Sequence, residues 1–173
     1  MDTNKVRRPM FIGPIGCGKT TLLQRINHLE MHYNKTQSIE FYNNIIDTPG
    51  EYIEHRRMYT NLATTAMDAG VIVLMQSAVD SRIVFPEAFG TMFARPLVGV
   101  VTKIDLAEDD AQINLVKQRL KSAGAKRVFT LSAVANQNVN DLVDFCAKHA
   151  NKKWKPTNQI NFILRGIGIV KLF

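Results

Sequence analysis

The octapeptide Gly13-Pro14-Ile15-Gly16-Cys17-Gly18-Lys19-Thr20 constrains this chain more than any other feature. It fills every fixed position of the pattern G-x-x-x-x-G-K-[ST]. A short apolar run, Pro9 to Gly13, leads into it, and a helical pattern with Leu22, Leu23 and Ile26 on one side follows from Thr20 to His28. A loop between a buried strand and a helix turns its backbone N–H groups inward around an anion. Glycines are required because no side chain can stand between backbone and phosphate. The helix presents its positive N-terminal end to the same anion. The octet therefore predicts a nucleoside-triphosphate site. Lys19 would reach the β- and γ-phosphates, the Thr20 hydroxyl would sit on Mg²⁺, and Thr21 would flank them.

The rest of the chain alternates strand and helix. Ser38 to Phe41 and Asn44 to Asp47 read as two short strands around the turn Tyr42-Asn43. Tyr52 to Met67 reads as one helix. Val71 to Met75, Leu97 to Thr102 and Val128 to Leu131 are continuous apolar runs, as strands buried on both faces should be. Asp109 to Ala123 has acids at its start, apolar Ile113, Val116 and Leu120, and Gly124 as its stop. Val139 to Ala150 is the last helix. This order predicts a three-layer α/β domain over residues 1–150, with a mainly parallel sheet and one short antiparallel edge hairpin. Residues 151–173 form a separate basic and apolar tail.

Further motifs follow the phosphate loop. Asp47-Thr48-Pro49-Gly50 ends a predicted strand. Its acid can hold Mg²⁺ through the water shell, and the Gly50 amide can sense a γ-phosphate; as an isolated tetrapeptide it is also a good turn. Thr36, between the two motifs, can place its hydroxyl on Mg²⁺ when a γ-phosphate is present, or be an ordinary loop threonine. Thr102-Lys103-Ile104-Asp105 follows another strand. There an aspartate can accept hydrogen bonds from guanine N1 and N2, a donor pair that adenine lacks. The Lys103 stem can lie over the base, and Ser132-Ala133 can add a backbone contact to the base oxygen. Glu51 either orients an attacking water or is a helix N-terminal acid. Arg56 and Arg57 either neutralise phosphate charge or form a solvated helix face. Cys17 is a small packed residue or, beside phosphate-binding amides, a reactive thiol. The candidate catalytic residues are Lys19, Glu51 and Thr36, and the metal ligands Thr20, Thr36 and Asp47.

The formal net charge of +7 suggests nucleic acid until it is located. Residues 1–150 carry 17 Lys+Arg and 15 Asp+Glu, while the tail adds Lys152, Lys153, Lys155, Arg165 and Lys171 with no acid. A nearly neutral globular part argues against a nucleic-acid-binding core. No run reaches the ~18 apolar residues of a membrane span, and the polar start, Met1 to Arg8, has no secretory pattern. The two cysteines, Cys17 and Cys146, suggest neither a metal site nor a disulfide framework, so a reducing cytoplasm is expected.

In this order the motifs resemble the G-boxes of small Ras-like GTPases. The stretches His32 to Phe41, Ile46 to Tyr52, Arg95 to Leu106 and Ala123 to Phe129 are similar to the EutP/PduV family of ethanolamine- and propanediol-utilisation proteins. The Gly-Pro start of the loop, Cys-Gly-Lys-Thr and the run around His32-Tyr33 are more similar to the PduV branch. The resemblance implies a Ras-like G domain that takes GTP or GDP, with ATP still open, and Mg²⁺. It also implies service to a bacterial microcompartment, whose shell proteins would be partners. Departures qualify it. Thr102 stands where asparagine is usual, which weakens the base grip. Glu51 stands where Ras has glutamine; a carboxylate beside the γ-phosphate predicts slow hydrolysis and at most a weak GTPase. Ten residues separate Thr36 from Asp47, room for only a small hairpin. Two other functions remain open. One is a phosphotransferase acting on a small acid with the same loop. The other is a non-catalytic module recruited to a shell or filament, with Ile160 to Phe173 as a docking segment, an added element or a stretch with no role.

Overall fold

The computed structural model describes residues 7–27, 39–42 and 45–150. Thr36, the Tyr42-Asn43 turn beyond Tyr42, and the tail from 151 lie outside the described residues. The elements in chain order are β1 (Arg8–Ile12), α1 (Lys19–Ile26), β2 (Glu40–Tyr42), β3 (Ile45–Asp47), α2 (Glu51–Glu54), α3 (Tyr59–Ala66), β4 (Ala69–Ser77), β5 (Leu97–Thr102), α4 (Asp110–Ser122), β6 (Val128–Thr130) and α5 (Val139–His149).

The six strands form one sheet in the order β2-β3-β1-β4-β5-β6. From β3 to β6 all neighbours are parallel, while β2 runs antiparallel to β3 with Phe41 opposite Ile46. Strands β4 and β5 are buried along their whole length, which explains their uninterrupted apolar runs. Alternate side chains of the central strands enter two separate cores. Phe11, Val71, Val73, Met75, Val98 and Val100 meet Leu22, Leu23 and Ile26 of α1 and Val139, Leu142 and Cys146 of α5. On the other face Met10, Ile12, Ile72 and Leu74 meet Ile53, Leu62, Val116 and Leu120 of α2, α3 and α4. The three layers follow from that two-sided burial.

Two local features decide where the site lies. Strand β1 has β3 on one side and β4 on the other, so the chain reverses its direction across the sheet there. In an open α/β sheet such a switch point opens a crevice at the carboxyl ends of the strands. The loop after β1 is the glycine octet.

The expected single helix from Tyr52 to Met67 is broken. His55 is extended (φ −120°, ψ 110°), and a 3-10 turn, Arg56–Met58, separates α2 from α3. The reason is rotational. At 100° per residue, Ile53 and Leu62 would face opposite sides of one straight helix. Both are buried in the same core, at 4% and 0% exposure, and only a break allows that. Between β4 and β5 no α-helix lies over the sheet. Phe85, Phe89 and Phe93 cover it instead, with centroids 5.4 and 5.5 Å apart along the row, and Phe89 meets Tyr59 edge-on at 5.2 Å.

Candidate functional site

Parallel strands deliver their loops to the same edge of a sheet. Here the loops after β1, β3, β5 and β6 all emerge at the carboxyl end, carrying the four motifs. Specific bonds join them.

The phosphate loop is tied down by its own lysine. Lys19 is 7% exposed, and its Nζ donates to Gly13 O at 2.7 Å and Pro14 O at 3.1 Å. The ammonium sits inside the curve of the loop, where an anion would share its protons. Gly18 caps α1 in the left-handed region, φ 94°, a conformation that a side chain would strain. Thr20 and Thr21 lie in the first turn of α1 and are half-buried, while Ile15 and Gly16 face solvent. Cys17 is buried, and desolvation raises its thiol above the usual range although Lys19 nearby opposes the shift. It is therefore a protonated packing residue rather than a reactive thiolate.

The Asp47–Gly50 turn packs directly against that loop. Thr48 Oγ1 donates to Phe11 O at 2.8 Å, tying β3 to β1 beneath the turn. A Cβ on Gly50 would collide with the Ile15 backbone N and lie 2.7 Å from Ile15 Cα, so only glycine allows the approach. Asp47 ends β3 with 1% exposure, a carboxylate withdrawn from bulk water at the floor of the crevice. Glu51 begins α2 and is half-buried at the same rim. Arg56 and Arg57 are exposed on the 3-10 turn.

The base-side loops join the phosphate loop through Thr102. This residue is 2% exposed, and its Oγ1 donates to Cys17 O at 2.5 Å. Its one hydroxyl proton is thus directed at the phosphate loop, which the side chain helps to secure. Lys103 follows in the left-handed region, φ 55°, with its Cε 3.8 Å from where a Gly18 Cβ would stand. Its stem thus lies against the phosphate loop at Gly18. Asp105 is exposed in the 3-10 turn Ile104–Leu106. The Ile104 N–H donates to Leu131 O at 3.5 Å, linking this loop to the one after β6. There Ser132 is fully buried and its Oγ accepts from Ala135 N at 3.0 Å, which tightens the turn that carries Ala133.

The structure thus brings together Gly13–Thr21, Asp47–Glu51, Thr102–Asp105 and Ser132–Ala133. Two contributors carried no sequence signal. The Thr48 hydroxyl is one. Arg25, on α1, is the other: its Nε donates to Ala133 O at 2.8 Å and an Nη to Val134 O at 3.0 Å. The partners are 108 and 109 residues apart in the chain, so no local pattern could have announced them.

Comparison with known proteins bears on the family and the fold. Residues 6–148 match the PduV-EutP family, described as "Ethanolamine utilisation - propanediol utilisation". The chain is 41% identical over 140 residues to the propanediol utilization protein PduV of Citrobacter freundii, covering 81% of this chain and 93% of that protein. It is 33% identical over 145 residues to a protein of Salmonella typhimurium named "Probable acetate kinase EutP", covering 82% and 90%. Two solved structures share the fold at 20% identity and 84% coverage of this chain. One is Era bound to MgGDPNP and a segment of 16S ribosomal RNA (TM-score 0.61), the other the bacterial selenocysteine-specific elongation factor EF-Sec (TM-score 0.59). This chain spans 57% and 28% of their respective lengths, so they speak to the fold of one G domain only.

Proposed function

We propose a function from one premise: the chain belongs to the PduV-EutP family of ethanolamine and propanediol utilisation proteins. It is a nucleoside-triphosphate-binding protein that takes GTP in preference to ATP, together with Mg²⁺. It hydrolyses the nucleotide slowly and serves as a switch or accessory factor of a bacterial microcompartment. The observation that carries this reading is the Thr102–Cys17 bond. It joins a base-side loop to the phosphate loop, so that one ligand can meet both.

Each residue has a role in that reading. Lys19 neutralises the β- and γ-phosphates with the ammonium already inside the loop. The donor set suits a hard cation: the hydroxyls of Thr20 and Thr36 and the buried Asp47 carboxylate are oxygen ligands of the kind magnesium takes. When bound, Mg²⁺ would offset the charge of the triphosphate. The Gly50 amide senses the γ-phosphate in this reading, which the packing of Gly50 on Ile15 of the loop supports. Asp105 accepts from guanine N1 and N2, and the loop after Ser132 offers backbone N–H groups to the base oxygen. Glu51, a carboxylate at the γ-phosphate rim, makes hydrolysis slow.

Titration with labelled GDP, GTP, ADP and ATP tests the reading. GDP and GTP should bind more tightly than their adenine counterparts, and Asp105→Asn should relax the preference. Preferential ATP binding would refute the guanine assignment.

A second reading is favoured by the name of the Salmonella typhimurium relative. In that reading the same loop passes the γ-phosphoryl group to acetate or another small carboxylic acid. Nucleotide turnover measured with and without acetate or propionate separates the two. Acceptor-dependent turnover, with the acyl phosphate as product, supports transfer; slow acceptor-independent turnover supports the switch.

A further inference from the structure

We infer that Arg25 is a positioning residue for base recognition, acting through the loop Ser132–Gln137 and not through the phosphates. The inference rests on the nucleotide reading above.

Arg25 stands on α1, whose first turn carries Lys19 and Thr20. Its guanidinium grips two successive carbonyls, Ala133 O at 2.8 Å and Val134 O at 3.0 Å. A guanidinium offers donors in a fixed planar fork, so two carbonyls held by it cannot rotate independently. Each peptide unit is planar and trans, and its N–H points opposite to its C=O. Holding Ala133 O therefore aims the Val134 N–H away from α1. Holding Val134 O does the same for the Ala135 N–H, which donates to Ser132 Oγ. The turn is further closed by the reciprocal pair Ser132 N–H to Gln137 O at 3.2 Å and Gln137 N–H to Ser132 O at 2.9 Å.

The consequence concerns specificity. Ser132 and Ala133 are expected to bring backbone N–H groups to the base oxygen. The Ser132 N–H is taken by Gln137 O and the Ala135 N–H by Ser132 Oγ, so the donor whose direction the fork sets for the base is that of Val134, next to Ala133. Such contacts depend on where the peptide planes lie, since a backbone donor has no rotamer with which to adjust. Thr102 cannot help, because its hydroxyl is committed to Cys17 O. The Ser132–Gln137 pair and the Ser132 Oγ bond close the turn, and Arg25 ties its Ala133 and Val134 peptide planes to α1. The link also places base recognition on the same helix that begins at the phosphates, so the two ends of a nucleotide are held in one frame.

The test uses the full chain and four nucleoside diphosphates: GDP, ADP, IDP and 2-aminopurine riboside diphosphate, which has no oxygen at position 6. Arg25→Met keeps the aliphatic stem and removes the fork. GDP and IDP affinity should fall roughly tenfold, the size expected for loss of charge-assisted hydrogen bonds at a half-exposed site. ADP and 2-aminopurine riboside diphosphate should change by less than about twofold, since neither uses the oxygen contact. Arg25→Lys, which can hold one carbonyl, should restore part of the GDP and IDP affinity. A merely structural arginine would weaken all four ligands alike, in step with a fall in melting temperature, and that result would overturn the inference. If wild-type protein preferred GDP and Arg25→Met kept the whole preference, the inference would fall while the guanine reading stood. If wild-type protein bound GDP and ADP equally, the guanine reading would fall and this inference with it.

Discussion

Replacement of Thr102 by valine removes one hydroxyl and leaves the shape of the side chain almost intact. The structure assigns that hydroxyl to Cys17 O, at 2.5 Å and in a fully packed setting. The main loss is then a hydrogen bond to a carbonyl that water cannot easily reach. Leaving a buried acceptor without its donor costs about 1–3 kcal/mol. For a domain of this size each kcal/mol lowers the melting temperature by roughly 2–4 °C. Thr102→Val should therefore melt about 2–12 °C below wild type. Thermal unfolding followed by circular dichroism, without nucleotide, measures it. Titration with GDP and ADP supplies the second readout. A hydroxyl that fastens the phosphate loop should weaken both nucleotides by the same factor. A hydroxyl that read the base would weaken GDP selectively and leave the melting point unchanged, and that pair of results would refute the reasoning. Thr102→Ser, which keeps the donor, should recover most of both losses.

Three other outcomes can be checked directly. Lys19→Ala removes the ammonium that donates to Gly13 O and Pro14 O, and it should lower triphosphate affinity at least ~100-fold, a loss of about 2.7 kcal/mol or more, measured by fluorescent-nucleotide titration. Gly50→Ala forces a Cβ into the Ile15 backbone; it should cost about 1–3 kcal/mol in chemical denaturation, with triphosphate binding impaired beyond diphosphate binding. The Cys146 thiol is pushed up to about 12 by burial, from 9.0. Its contribution to stability is complete below pH 9.0 and declines from there toward pH 12, because the unfolded thiol ionises first. Between pH 8 and 10 wild type should lose roughly 1 kcal/mol that Cys146→Ala does not lose, as read from denaturant midpoints at the two pH values.

The parts of the fold that were legible in the sequence are those with a local cause. Strands β4 and β5 announced themselves because both faces are buried, which leaves no polar alternation. Helix α4 was bounded by chemistry: the Asp109 side chain accepts from Gln112 N–H at 2.9 Å, and Gly124 beyond its end has φ 111°. The phosphate loop was legible because its glycines answer to backbone geometry. What was not legible depends on contacts between distant residues. The break at His55 has no glycine or proline behind it; it exists because Ile53 and Leu62 must reach one core. The aromatic cover over β4 and β5 draws on Tyr59 from another element. Thr48 and Arg25 act on carbonyls 37 and 108 residues away, and side-chain bonds to backbone leave no trace in the sequence of their acceptors.

Thr102 shows how one such contact changes the reading of a motif. From residue type alone, threonine in place of asparagine implies a weaker hold on the base, because it lacks the amide. The structure adds that its hydroxyl is not idle but joined to Cys17 O. The substitution therefore separates two duties, keeping the link between the loops while contributing no amide of its own. In the guanine reading, base selection then falls to Asp105, which is exposed, and to the turn at Ala133 and Val134. An exposed carboxylate is partly satisfied by water and discriminates less than a buried one. The turn is tied to α1 through Arg25, whereas Asp105 lies on an exposed 3-10 turn. If guanine is preferred here, the margin depends on how firmly a helix that begins at the phosphates holds a loop at the other end of the nucleotide.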